Sequence, residues 1–130
     1  MLFLDRYVEI LRSAGRRHPA TPHQALEEWS DFVEYCREGY GSTIFEYWDD
    51  ISIRSFLQSI VDDVVVRETS ESVWFLAEVY RIDEQFKTVL ADGFNVTGGR
   101  GWWERRIPRI GGEELARTVS EQYGFEMEVV

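Results

Sequence analysis

Few side chains in this 130-residue chain stand at spacings that chemistry requires. His18 and His23 flank Pro19 and Pro22. No cysteine or acid accompanies them at a metal-ligand spacing, so they read as residues of a polar loop. His23 alternatively falls in the first turn of the following helix. Cys36 could be a nucleophile, but a reactive thiol needs an electropositive, accessible setting. Its place on the apolar face of an acidic helix reads instead as a buried structural cysteine. Glu46, Asp49, Asp50, Asp62 and Asp63 are the densest carboxylates. Two of them could flank a glycosidic bond or hold a divalent cation. The glycine-containing calcium loop is absent, however, and Asp49 and Asp50 suit the capping of a helix. Gly98-Gly99-Arg100-Gly101 could cradle a phosphate with backbone donors. Without a following Lys-Ser/Thr pair it is not a P-loop and reads as a turn. No metal, no cofactor and no catalytic residue is expected.

Two stretches suit binding better than catalysis. In Trp102-Trp103-Glu104-Arg105-Arg106-Ile107-Pro108-Arg109, tryptophan and arginine lead, as they do in binding hot spots. Read as an edge strand over Trp102 to Ile107, ended by Pro108, it would turn one tryptophan inward and one outward. An outward Trp102 or Trp103, with Arg105 and Arg106, would face a partner. The competing reading has the arginines paired with the protein's own acidic helices and both tryptophans closing the core. The other stretch is an acidic stripe, Glu27, Asp31, Glu34 and Glu38, on the outer face of one helix. Like charges at that spacing repel by a few tenths of a kcal/mol each. The stripe is therefore either a solvated face or a docking face.

The chain carries 24 acids against 14 bases, a formal net charge of −10. That balance argues against general nucleic-acid binding and against anionic membrane surfaces. It suits a cationic partner, because opposite fields steer and orient association. The charge is uneven. Arg6, Arg12, Arg16 and Arg17 lie near the start, and Arg100, Arg105, Arg106, Arg109 and Arg117 in the last third, with the acidic excess between. Aromatic residues are 15% of the chain, a surplus that favours an interface and is compatible with a homodimer. The single cysteine cannot form an intramolecular disulfide, which favours a reducing compartment. The first residues turn polar too soon for a secretory segment, and no run is long enough to span a membrane. A soluble cytoplasmic protein is expected.

The elements that would position these groups are mostly helices in one domain over residues 1–130. Glu71 to Leu90 is the organising stretch. Phe75, Val79, Ile82, Phe86, Val89 and Leu90 recur at helical spacing, and Val73, Leu76, Ala77 and Tyr80 widen the apolar face. A helix over about 71–91, capped by Thr69 or Ser70 and closed at Asp92-Gly93, should be central. A first helix is predicted over Leu2 to Ala14 and stops at Gly15, followed by a proline-rich loop from Arg16. A second begins with Thr21 as N-cap and Pro22 at its first position, and ends before Gly39. Thr43 and Glu46 have capping-box spacing for a third. The apolar face then swings, which predicts a break near Asp50 to Ser52, capped by one of them, and a fourth helix to about Asp63. Val64-Val65-Val66 reads as a short strand. Glu113 to Tyr123 is a last helix, stopped by Gly124. Phe125, Met127 and Val129 alternate as a terminal strand, expected to pair with Val64 to Arg67 or with Trp102 to Ile107. The fold class is thus mostly α, with five or six helices around the central one and a two- or three-stranded β element near the C-terminus.

In bulk composition (small, acidic and aromatic-rich) the chain resembles bacterial immunity proteins and antitoxins, which neutralise basic toxins. The resemblance covers no motif and transfers no site residue. What it implies, together with the charge pattern, is a non-enzymatic module that binds another protein, a basic one. Two alternatives remain open on the sequence. One is a small hydrolase or transferase using Glu46, Asp49 and Asp50. The other is a small-ligand carrier with a pocket lined by Trp74, Phe75 and Tyr80.

Overall fold

The computed structural model describes residues 2–15 and 17–130; Arg16 lies outside the described residues. Six helices of at least seven residues account for most of the chain, and one single-turn helix joins them. Helix α1 is Phe3–Ser13, α2 Pro22–Glu38, α3 Ile44–Asp50, α4 Ser52–Val61, α5 Val64–Arg67, α6 Glu71–Lys87 and α7 Glu113–Tyr123. Two short strands, β1 (Ile110–Gly111) and β2 (Glu128–Val129), pair in parallel, Ile110 opposite Glu128. No described helix is long and apolar enough to cross a membrane.

Local chemistry explains most boundaries. The Thr21 side chain accepts the Gln24 N–H at 3.2 Å, and Pro22 supplies a first helical residue whose missing N–H costs nothing. Thr43 accepts the Glu46 N–H at 3.1 Å, the N-cap half of the expected capping box, and its hydroxyl, not its backbone N–H, meets the Glu46 carboxylate at 3.2 Å. Gly124 closes α7 in the left-handed conformation. Gly39 ends α2 at φ 107°, a region that favours glycine, and a Cβ there would sit 2.0 Å from a Val130 methyl carbon. That missing side chain lets the C-terminal residue lie against the end of α2.

The core is one cluster built around α2, α4 and α6, each of which packs on the other two. Trp29, Val33 and Cys36 of α2 meet Ile53, Leu57 and Ile60 of α4, and Phe75, Val79, Ile82 and Phe86 of α6. Helix α6 is central on that side only. Its widened face is exposed, with Val73 at 75% and Tyr80 at 51%.

Several expected details are corrected. Val64 to Val66 is helical rather than extended. Asp63 accepts the Val66 N–H at 3.0 Å, and Arg6 grips the same carboxylate through two nitrogens at 2.9 and 2.7 Å. A cap and an ion pair outweigh a β-branched preference of tenths of a kcal/mol. Neither Asp50 nor Ser52 caps α4; the chain turns through Ile51 in helical conformation. No side chain caps α6 either: the Thr69 hydroxyl donates to the Val66 carbonyl instead. Helix α6 stops at Lys87, short of Leu90, because the next residues pair with a distant segment. The Ala91 N–H reaches Ile107 O at 2.9 Å, and the Arg109 N–H reaches Val89 O at 2.8 Å. The C-terminal strand pairs with β1, not with Val64 to Arg67 or Trp102 to Ile107. On its other side β1 is bridged by Tyr40.

Candidate protein-binding surface

The acidic helix α2 presents two neighbouring faces. Its outer stripe, Glu27, Asp31, Glu34 and Glu38, is exposed as the sequence predicts. Glu34 is held by Arg37 at 3.0 Å. No cation pairs with Glu27, Asp31 or Glu38 among the described residues.

Asp31 also belongs to a cleft that spacing along one helix did not reveal. Glu28, Asp31 and Tyr35, at i, i+3 and i+7, form one wall of a cavity of about 330 Å³. Asp49 and Asp50, at the C-terminal end of α3, form the opposite wall, and Arg17 and His18 close one end. Four carboxylates therefore line a space at which, among the described residues, Arg17 is the one arginine. Arg17 lies 3.1 Å from Asp49, with both side chains well exposed, so the pair neutralises weakly. Asp50 accepts the Tyr40 hydroxyl proton. Burial, reinforced by that bond, raises the Tyr40 pKa and keeps the hydroxyl a donor. The position of Asp49 and Asp50 is itself unfavourable, because the last turn of a helix carries partial negative charge.

This environment shifts two pKa values. Partial desolvation, followed by the field of Asp50, raises the Glu28 carboxyl above the usual range. His18 stacks on Phe56, ring centroids 4.4 Å apart, and desolvation followed by Arg17 lowers its pKa despite Asp49. His18, expected in a polar loop, lies as an aromatic lid on the core at Phe56. No group of three or more His, Cys, Asp or Glu among the described residues is placed to hold a metal ion.

The Trp-Arg segment behaves differently from its reading as an edge strand. Trp102–Arg105 is a turn of 3-10 helix. Trp103 is buried, its ring 4.2 Å from the Arg54 guanidinium and its indole N–H donating to Ser55 Oγ at 2.9 Å. A Cβ on Gly101 would fall 2.3 Å from that ring, so glycine there admits the tryptophan. Trp102 is half-buried, 6.0 Å from Phe86 and 5.1 Å from Lys87 Nζ. The arginines do not pair with acidic helices. Arg105 donates to the Gly98 carbonyl at 2.9 Å, and Arg106 donates to the Ala91 carbonyl at 3.2 Å. The segment is pinned by backbone acceptors, one in the glycine-rich turn and one just after α6.

Beneath Trp103 lies a pair that sequence reading passed over. Arg54 and Asp83 are 1% and 3% exposed. Arg54 Nε and one terminal nitrogen reach the two Asp83 oxygens at 2.8 and 2.9 Å, and Trp29 donates to the same carboxylate at 3.1 Å. Every donor nitrogen of Arg54 has a partner, the third being Gln58 Oε1 at 2.9 Å. The available signal was Asp83 itself, an acid between Val79 and Phe86 on an otherwise apolar face.

The remaining expectations are placed plainly. Cys36 is 1% exposed, and burial raises its thiol pKa, as suits a structural cysteine. Glu46, Asp49 and Asp50 do not converge: Glu46 accepts the Thr43 hydroxyl at the start of α3 and does not line the cleft. Phe75 and Tyr80 line a surface groove of about 400 Å³ between α4, α5 and α6. Trp74 is not on its wall; it packs on His23, 4.7 Å between centroids. Gly98 and Gly99 take positive φ in a turn.

No family model matches this chain. Comparison with curated proteins and with solved structures likewise found no match.

Proposed function

We propose that this chain is a non-enzymatic module that binds a basic protein, and that α2 with the adjoining cleft is the contact. One observation carries the reading. Glu27, Glu28, Asp31 and Glu38 are exposed on α2 without a cationic partner among the described residues, where like charges repel, and Asp50, at the unfavourable C-terminus of α3, borders the same cleft as Glu28 and Asp31. The bond from the Tyr40 hydroxyl accounts for Asp50, whereas the α2 acids have no such partner. Arginine or lysine side chains from a partner would relieve that repulsion.

The mechanism follows from the charge layout. The net charge of −10 steers a basic protein, raising the encounter rate at low salt. The cleft then accepts one or two cationic side chains, and Tyr35 and Phe32 on its wall supply apolar contact. The partly desolvated Glu28 gains most, because a nearby cation favours the charged form that burial disfavours.

The test is a comparative pull-down from cell lysate. The bait is the intact chain, the E27Q/E28Q/D31N/E38Q variant, or Trp102→Ala, each at low and high salt. The proposal expects a basic protein held at low salt by the intact chain and by Trp102→Ala, released by salt, and absent from the neutralised variant. Equal retention by all three baits would refute the assignment of the surface.

A further inference from the structure

The outer line of α6 has the pattern of a helix that packs on another helix. Val73, Ala77 and Tyr80 follow one another at i, i+4 and i+7, all three exposed, with half-buried Leu76 beside them. The core side of the same helix already has its apolar face in Phe75, Val79, Ile82 and Phe86, so the monomer has no use for a second one. A furrow runs beside this ridge. The groove between α4, α5 and α6 has buried Val66 and Phe75 at its base, and exposed Val73 and Tyr80 at its rim. It continues into a recess of about 650 Å³ against α4 and Trp102, the two sharing Gln58, Asp62 and Tyr80. Ridge and recess belong to one patch, which is the condition for an isologous contact between identical chains.

Charge decides the occupant. Glu78 lies 2.9 Å from Arg81, Glu84 3.0 Å from Lys87, and Asp62 in the furrow 3.6 Å from Arg67. The acids flanking the ridge are thus matched within the chain, unlike those of α2, and a basic partner finds little unmet charge there. The unmet group is at the other pole. The first turn of α6 carries partial positive charge, and although Glu71 lies in that turn, no side chain caps its N–H groups. Two α6 helices laid antiparallel and crossing at Ala77 bring Glu84 of one opposite Ser70 of the other, each seven residues from the crossing. Glu84 is exposed on the same line as Tyr80, one turn further on, and so meets the uncapped end. Tyr80 likewise comes over the furrow beside the other copy's Val73. The small side chain at Ala77 lets the two backbones approach.

We infer that the outer face of α6 is the contact of a homodimer, in which two α6 helices pair antiparallel about a two-fold axis at Ala77. The apolar ridge of each copy covers the furrow of the other, and each Glu84 serves the helix N-terminus that its own chain leaves uncapped. No residue of α2 lines the furrow, so the dimer leaves the acidic face and its cleft open and does not rest on the reading of that face.

The test is sedimentation equilibrium of the intact chain alone, joined to disulfide trapping. A monomer–dimer equilibrium is expected with a Kd on the order of 10–100 μM, since one helix pair makes a small contact. Each substitution acts twice in a two-fold contact. Tyr80→Asp should weaken the dimer by about tenfold or more, and Glu84→Gln by about fivefold. Both residues are exposed in the monomer, so circular dichroism should not change. Oxidation should cross-link the Ala77→Cys variant across the axis and leave Ser13→Cys, exposed on α1, uncross-linked. Cys36 is buried and stays in place as in the parent. A chain still monomeric at about 0.5 mM would overturn the proposal and leave the face to a different partner. A dimer indifferent to both Tyr80→Asp and Glu84→Gln would overturn it as well, as would equal cross-linking of the two cysteine variants.

Discussion

Residues 98–109 and the acidic side formed by α2 and the end of α3 both carry the side chains that proteins use to hold partners, yet they use them in opposite ways. In the first, Trp103 is buried on Arg54, Arg105 donates to Gly98, and Arg106 donates to Ala91. Its recognition chemistry is turned inward and fastens an irregular loop onto the core. In the second, Glu28 and Asp31 face a cleft with one weakly held arginine at its end. The same lesson appears in the carboxylates alone. Asp83 has a bidentate arginine and an indole donor; Glu28 has neither and is harder to ionise. Composition identifies groups able to bind, and burial against internal partners marks scaffold from surface, although Arg106 Nε is buried with no hydrogen-bond partner among the described residues.

The largest effect should come from the closed region. Asp83→Leu strands the Arg54 charge in the core and should cost about 3–5 kcal/mol, read as a shift in the urea midpoint. A loss under about 1 kcal/mol would mean that Arg54 finds water, and that the region is not closed. Next, Trp103→Ala should cost about 3 kcal/mol, and Trp102→Ala about 1, because Trp103 is buried and Trp102 only half-buried. Equal costs would erase the distinction between the two tryptophans.

The smallest effect on stability should come from the open region. E27Q/E28Q/D31N/E38Q should stay within about 0.5 kcal/mol of the parent at pH 7, or exceed it, since repulsion is removed and no partner is lost. The sign with pH follows from Glu28. Its folded pKa is raised, so the folded chain takes up that proton first, and the parent recovers stability as pH falls through the folded pKa towards the unfolded one. The stability advantage of the neutralised variant should therefore shrink on mild acidification. Asp63 runs the other way. Its hydrogen bonds from Arg6 lower its pKa, so its contribution persists above the unfolded pKa and is lost as pH falls through the folded one.

Much of the scaffold was legible in the sequence because its signals are local. Thr21 before Pro22, the Thr43–Glu46 pair and Gly124 each specify a helix end from within a few residues. The α2 core face and its acidic stripe followed from helical spacing alone. What escaped depends on distant partners. The helix at Val64–Arg67 needs Arg6 on Asp63, 57 residues away. The turn at Trp102–Arg105 needs Arg54 beneath Trp103, and the early end of α6 needs Ile107 and Arg109. The cleft escaped for the same reason: Glu28 and Asp31 meet Asp49 and Asp50 only after α2 and α3 fold together.

The central claim is that the acidic face, and not the Trp-Arg segment, makes the contact with a partner. Hydrogen exchange of the chain alone and in complex with the captured basic protein tests it most directly. The account predicts new protection over residues 27–38 and 49–50, with residues 98–109 unchanged. Protection centred on residues 98–109, with α2 exchanging as in the free chain, would contradict it.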